Sequence, residues 1–409
     1  MRTLQRGLIA LVGGLFATAL AAQDFPAEPA PGSARAAPPP PSLSILPEGE
    51  TLPPLLTPLP ILDRLVVPGS KLQLDWRPDG GIGTGEIPSP VVVVHGAKPG
   101  PVLCLVAGIH GDEINGVEIV RRIVHSLDPT RLSGTVIGAP IVNVFGYSRG
   151  VRYLPDRRDL NRHFPGSPRG SIAARIAHGF MRDIVRHCDF LVDFHTGSFD
   201  RDNLPQLRAD LADGAVLEFT RAFGNTLVLH SPGSKGMLRT SATGIGIPAV
   251  TFEVGAPARL QLPEIASAVA AVDAVMHRLG IRIAGQTEEG LAPPPTYFDS
   301  RWVRAPVGGL LIGEVSLGQR VQQGQRLGRI IDPVRNTERG VMAPHPGRVL
   351  GLAQNQQVMP GFATFHLGIE TSEQQAVEHA ESGEDSSGDD AVPEDSAERP
   401  DPGAEEGDG

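Results

Sequence analysis

The stretch Val102–Ala107 contains no polar residue, so as a strand it must be buried on both faces. Such a strand needs helices packed on either side, and the surrounding sequence supplies them. Glu113–Leu127 places Ile114, Val117, Val120, Val124 and Leu127 at helical spacing. Ile172–His187 and Glu264–Leu279 read as further helices. Lys71–Trp76, Ile87–His95, Thr135–Asn143, Phe190–Phe194, Thr226–Leu229 and Ala249–Phe252 read as strands. This alternation predicts an α/β fold, a sheet covered by helices.

The remainder divides by composition. Arg2 and Arg6 precede an apolar run from Leu8 to Leu20, and Ala19-Leu20-Ala21 is a small-residue cleavage site. Residues 1–21 therefore predict a secretory signal peptide, an uncleaved anchor being the alternative, and the protein is expected in the periplasm. The run is shorter than the ~20 apolar residues of a spanning helix, so no membrane span is expected once the leader is removed. Residues 22–60 are rich in Pro and Ala and predict an extended, disordered linker. Residues 61–292 hold the alternating pattern, and 371–409 predict an acidic disordered tail. The fourteen Asp/Glu and one Arg of residues 373–409 carry −13 of a whole-chain charge of −10, and Arg2 and Arg6 carry +2, which leaves the body at +1. A nearly neutral body without a basic, aromatic-interleaved stripe excludes nucleic acid as a partner. Cys104 and Cys188 are too few for a disulfide framework and lie in and beside apolar runs; two separate buried thiols are expected. Oligomeric state is not legible.

After Pro293-Pro294-Pro295 the character changes. Residues 296–370 predict β structure with a weak internal repeat: Ala305-Pro306, Gly309, Val321 and Gly324 are echoed by Ala343-Pro344, Gly347, Val358 and Gly361. The segment resembles the barrel-sandwich fold of biotinyl and lipoyl carrier domains, two interleaved halves. A carrier needs a Lys at a hairpin tip and this segment has none, so a structural or substrate-gating module is expected.

The chemistry sits where strands end. Val102–Ala107 is followed by Gly108 and then by His110 and Glu113, three apart at the start of a helix, so that both project to one side. Phe190–Phe194 ends in His195, and Ala249–Phe252 in Glu253. Sites in open α/β sheets form beyond the carboxyl ends of strands. Three strand ends thus bring His110, Glu113, His195 and Glu253 to one edge, and two His with one Glu is a catalytic zinc pattern, one Zn2+ per chain. Residues 149–166, read as a loop following a strand, are dense in Arg and include Asp159, Asn161 and Arg162. Arg matches carboxylates and Asn can donate to an oxyanion, so this segment is expected to bind substrate. The stretch Ser198–Arg208, with Arg201, Asn203, Gln206 and Arg208, reads either as an acyl- or side-chain-binding loop or as an exposed polar loop.

The order G-x-H-G-D-E, R-Y-x-x-D-x-x-D-L-N-R-x-F-P-G, D-F-H-T-G and F-E-V-G over roughly residues 70–290 resembles the succinylglutamate desuccinylase/aspartoacylase family. The resemblance implies a zinc carboxypeptidase-like mixed sheet flanked by helices, with the C-terminal β (barrel-sandwich-like) domain behind it. It implies zinc on His110, Glu113 and His195, Glu253 as general base, and contacts from Arg152, Asn161 and Arg162 to the substrate carboxylate and polarised carbonyl. Arg152 stands two residues further from Asn161 than in aspartoacylases, so Arg157 or Arg158 can fill its role. No Tyr lies between His195 and Glu253, where peptide-cleaving relatives usually place one.

The expected activity is zinc-dependent cleavage of the amide bond of an N-acyl amino acid or related small carboxylate, with Glu253 and Arg162 catalytic and Arg152, Asn161, Arg162, Arg201 and Arg208 binding substrate. A zinc carboxypeptidase acting on short or wall-derived peptides is the rival within hydrolases, and a non-catalytic zinc- or ligand-binding module is the rival outside them.

Overall fold

The computed structural model describes residues 57–78, 87–282 and 294–370. The leader, most of the linker and the acidic tail lie outside the described residues. A large mixed sheet forms the centre. Its parallel core runs Ala249–Gly255, Phe190–His195, Lys98–Val106, Ser133–Ala139. Ser89–His95 and Ser70–Trp76 extend it antiparallel on one side. Arg201–Ala209 extends it antiparallel on the other.

Alternation along the strands divides the core in two. Leu103 and Leu105 face one hydrophobic cluster with Ile119, Val120, Ile123 and Val124 of the helix Ile114–Ser126 and Val272 and Val275 of the helix Leu262–Arg278. Cys104 and Val106 face the other, against Ala173, Ile176, Ala177 and Phe180 of the helix Ile172–Asp183. Leu103, Leu105 and Phe180 are fully buried, each worth ~1.5–3 kcal/mol relative to exposure. Among the described residues no helix is long and apolar enough to cross a membrane.

Three expectations are corrected. Cys104 and Cys188 are not separate thiols but a disulfide, with Cα atoms 5.7 Å apart. Counting cysteines missed it because the bridge depends on strand adjacency: Cys104 pairs in register with Leu191, three residues beyond Cys188. The strand expected to reach Asn143 stops at Ala139. Asn143 instead caps the helix Val144–Arg149, its side chain accepting from the Gly146 amide at 2.8 Å, so the Arg-rich segment follows a helix. Finally, most of Ser198–Arg208 is no loop. Arg201–Ala209 is a strand, because both its edges find antiparallel partners, Ala249–Gly255 and Gly347–Ala353. Pairing overrides the weak strand signal of a mixed polar sequence.

The second of those partners belongs to the C-terminal segment, so the central sheet continues through Gly347–Ala353, Ala363–Ile369 and Asp299–Arg304. A four-stranded sheet of Thr337–Met342, Arg326–Asp332, Gly309–Gly313 and Gln357–Val358 closes over them, around Leu311, Leu327, Ile330, Val349 and Phe365. The internal repeat is visible as crossed pairing. Ala305 exchanges backbone hydrogen bonds with Gly361 and Phe362 of the other half, and Ala343 does so with Gly324 and Gln325.

Candidate metal centre and active site

Glu253 and His195 are register partners on adjacent parallel strands, so their side chains share one face of the sheet at its carboxyl edge. The neighbouring strand ends at Val106, and Gly108, at φ +63°, turns the chain toward His110. Gly111 packs on the backbone of the helix behind it; a Cβ there would overlap Gly146 and Tyr147. The turn is thereby fixed, and His110 and Glu113 with it.

His110, Glu113 and His195 are buried together. His110 Nδ1 lies 2.9 Å from Glu113 Oε1, His195 Nδ1 lies 2.8 Å from Glu113 Oε2, and the two Nδ1 atoms are 3.1 Å apart. Each imidazole is anchored from behind: His110 Nε2 meets Asp159 Oδ1 at 3.0 Å, and His195 Nε2 meets Asp193 Oδ2 at 2.9 Å. An ionised carboxylate only accepts, so each Nε2 is a donor, and a neutral ring then turns its Nδ1 lone pair inward. Three electron-rich groups converge on one point, an arrangement that calls for a cation. The titration of the cluster follows the same rule. Burial and the Arg152 guanidinium press His110 down, but Glu113 and Asp159 outweigh them and hold its pKa at about 9. His195 is likewise lowered by burial and raised further by Asp193 and Glu113, ending well above its ordinary value. Burial raises Glu113, yet the two imidazoles bring it below the usual carboxylate range. Two imidazole nitrogens and one carboxylate, each imidazole backed by a second carboxylate, can hold a divalent metal ion.

Arg152 is buried against this set. One guanidinium nitrogen donates to Glu113 Oε1 at 3.1 Å and Ser198 Oγ at 3.0 Å, and the other to Asp159 Oδ2 at 2.8 Å. Arg157 and Arg158 are exposed, so Arg152 is the arginine that reaches the centre. Asn161 lies with its amide nitrogen 3.4 Å from His195 Nε2, and its Oδ1 accepts from the Leu238 amide at 2.8 Å. Arg162 is half-buried beside it and donates to the Asn161 carbonyl at 3.1 Å. Glu253, 5 % exposed, accepts from Asn203 Nδ2 at 3.1 Å, and Arg208 Nε lies 3.5 Å from its other oxygen. Arg201 points elsewhere. It donates to the Ala363 carbonyl at 3.0 Å, and its guanidinium lies 4.7 Å from the Phe362 ring centre and 5.0 Å from that of Trp302, at the junction with the C-terminal strands.

Sequence reasoning named the three candidate ligands, Glu253 and Arg208; it gave Asp193 no role and placed Asp159 and Asn203 only within candidate substrate-binding stretches, missing their contacts to His110 and Glu253. Asp193 carried a usable signal, since residues two apart on a strand share a face. Asn203 carried none, because its role depends on pairing with a strand 50 residues further on.

Known proteins resemble this chain in sequence and in fold. The succinylglutamate desuccinylase/aspartoacylase catalytic domain profile matches residues 99–279. The N-alpha-acetyl-L-2,4-diaminobutyric acid deacetylase of Halomonas elongata is 30% identical over 264 residues, covering 62% of this chain and 76% of that protein. A succinylglutamate desuccinylase/aspartoacylase from Rhodobacter sphaeroides superposes with a TM-score of 0.63 at 25% identity, over 72% of this chain and 95% of that one. The product-bound ectoine utilization protein EutE (DoeB) of Ruegeria pomeroyi shares the fold, with a TM-score of 0.65 at 24% identity over 73% and 95% of the two chains. With the motifs, the sheet and the convergent side chains in agreement, this chain belongs to the succinylglutamate desuccinylase/aspartoacylase family.

Proposed function

We propose that this protein is a zinc-dependent hydrolase that cleaves the amide bond of an N-acyl amino acid or a related small carboxylate. The observation that carries the reading is the inward convergence of His110, Glu113 and His195, each imidazole backed by its own carboxylate. The deacetylase relative from Halomonas elongata supports an amide substrate of this size. When bound, zinc acidifies a water and polarises the scissile carbonyl. Glu253, held between Asn203 and Arg208, takes the proton from the attacking water and returns it to the leaving nitrogen. Arg152 is engaged with Glu113 and Asp159. Arg162, half-buried beside Asn161, stabilises the developing oxyanion, a contribution of about 3–4 kcal/mol for one preorganised donor. The leader-like first 21 residues and the Cys104–Cys188 disulfide support action outside the cytoplasm, in the periplasm.

The test is a panel of N-acyl amino acids with short and dicarboxylic acyl groups beside short peptides, with zinc content measured on the same preparation. Stoichiometric zinc and release of the free acid and amino acid are expected. Release of C-terminal residues from peptides alone overturns the deacylase reading in favour of a carboxypeptidase. Bound zinc with no cleavage across the panel favours a binding module.

A further inference from the structure

The C-terminal strands meet the catalytic sheet along a seam where Gly347–Ala353 pairs antiparallel with Arg201–Ala209 and Gly351 is the register partner of Asn203. Asn203 is 2 % exposed, and its amide nitrogen donates to Glu253 Oε2 at 3.1 Å. The amide must lie this way round, because an ionised carboxylate only accepts. The other end of that amide makes no hydrogen bond among the described residues. What limits it is space. A Cβ on Gly351 would come within 2.5 Å of Asn203 Oδ1, so the oxygen occupies the volume that any side chain at 351 would fill. On the far side of Gly351 the same Cβ would lie 3.5 Å from His366 Cβ, so the notch is bounded by two strands of the C-terminal segment and is not open solvent.

We infer that Asn203 is a positioning residue for Glu253 and that the C-terminal module acts on the reaction through it, Gly351 leaving the room that keeps the Asn203 amide turned toward the carboxylate. The inference rests on Glu253 being the proton carrier proposed above. It gives the module a part in the chemical step in addition to any part in shaping the substrate cleft. The residue responsible stands 98 positions after Glu253 in the chain. The pressure that Gly351→Ala applies falls on the end of a side chain and not on backbone, so the expected response is rotation of the Asn203 amide away from Glu253 with the sheet intact. Displacement of a reacting group by about 1 Å costs on the order of 10²-fold in rate, which sets the scale.

The experiment compares Asn203→Ala, Gly351→Ala, the double variant and Glu253→Gln on the N-acyl amino acid that the full-length protein turns over best, with melting temperature and zinc content read on each. Asn203→Ala and Gly351→Ala are each expected to lower kcat by roughly 10- to 100-fold, with KM changed less than threefold and zinc retained. The double variant should be no slower than Asn203→Ala, because Gly351→Ala acts only through an amide that is then gone. A structural defect at the seam would instead multiply with the first. Multiplying defects overturn the inference, as does a kcat within threefold of the parent in Asn203→Ala, which adds no bulk and tests positioning even where Gly351→Ala does not fold. Full turnover by Glu253→Gln overturns the general-base reading itself; an inactive Glu253→Gln beside a normal Asn203→Ala overturns the positioning alone.

Discussion

At the strand ends of the catalytic sheet, His110 and His195 are buried among carboxylates and are driven up, His110 to about 9. Across the seam, His366 is just as buried and is driven well down, by burial first and then by Arg208 and Arg201. It stacks flat on Trp302, ring centres 4.4 Å apart, and its Nε2 meets Ser300 Oγ at 2.9 Å. Burial penalises the charged imidazole in both places, so the neighbours decide the sign. One half of the wall around Glu253 gathers positive charge at a point. The other already holds two guanidiniums and keeps its histidine neutral. The difference separates a candidate metal centre from a wall whose neighbours disfavour a further positive charge.

The sharpest way to break that contrast is to remove a member of the first half. His195→Ala should lose both zinc and turnover, and stoichiometric zinc in that variant contradicts the ligand assignment. Glu253→Gln should keep zinc and lose about 10²- to 10⁴-fold in kcat, the range for a positioned proton carrier, measured against metal content on one preparation. The disulfide comes next, because it ties the strand leading to His110 to the turn that enters the strand carrying His195. Its loop spans 84 residues, for which loop-closure entropy sets an upper contribution of about 4–5 kcal/mol. A Cys104→Ala/Cys188→Ala variant should therefore show a much lower denaturation midpoint, and an unchanged midpoint removes the bridge from the account of stability. Asp193→Asn is milder. It leaves His195 in place but weakens the acceptor behind it, and about 10- to 100-fold weaker metal binding is expected in competition with a chelator. Unchanged zinc affinity would show that the Asp193 contact does not orient the ring.

The same contrast explains what could be read from the chain. His110, His195 and Glu253 each follow an apolar run, and a polar group at the end of a buried strand stands out against it. That pattern also gave the central strands and the three long helices, since each period of two or 3.6 is set by local geometry. The wall on the far side of Glu253 has no such contrast. Arg201, Asn203 and Gln206 are buried on a strand of mixed polarity because Gly347–Ala353 lies against it. Their environment is made by residues some 150 positions later, and nothing within the segment records it. Cys104 and Cys188 were legible as buried but not as bonded, for the same reason: adjacency of their strands is a property of the sheet.

The smallest expected effect tests the second half directly. His366 is 1 % exposed and its folded pKa lies below the ordinary 6.5, so near neutrality it is uncharged in the folded and, for the most part, the unfolded chain. As pH falls through about 6.5 the unfolded chain takes up a proton that the folded one refuses. Stability is therefore lost progressively from there down toward the folded pKa, with a slope approaching ~1.4 kcal/mol per pH unit from this one group. His366→Gln removes the group that titrates. Its unfolding free energy, followed by denaturant titration between pH 7.5 and 5, should fall less steeply than that of the parent, whatever its absolute value. Zinc content should be unaffected, because His366 belongs to the wall and not to the ligand set. Parallel curves would show that His366 takes up its proton alike in the folded and unfolded chain, and the opposition between the two halves would then fail.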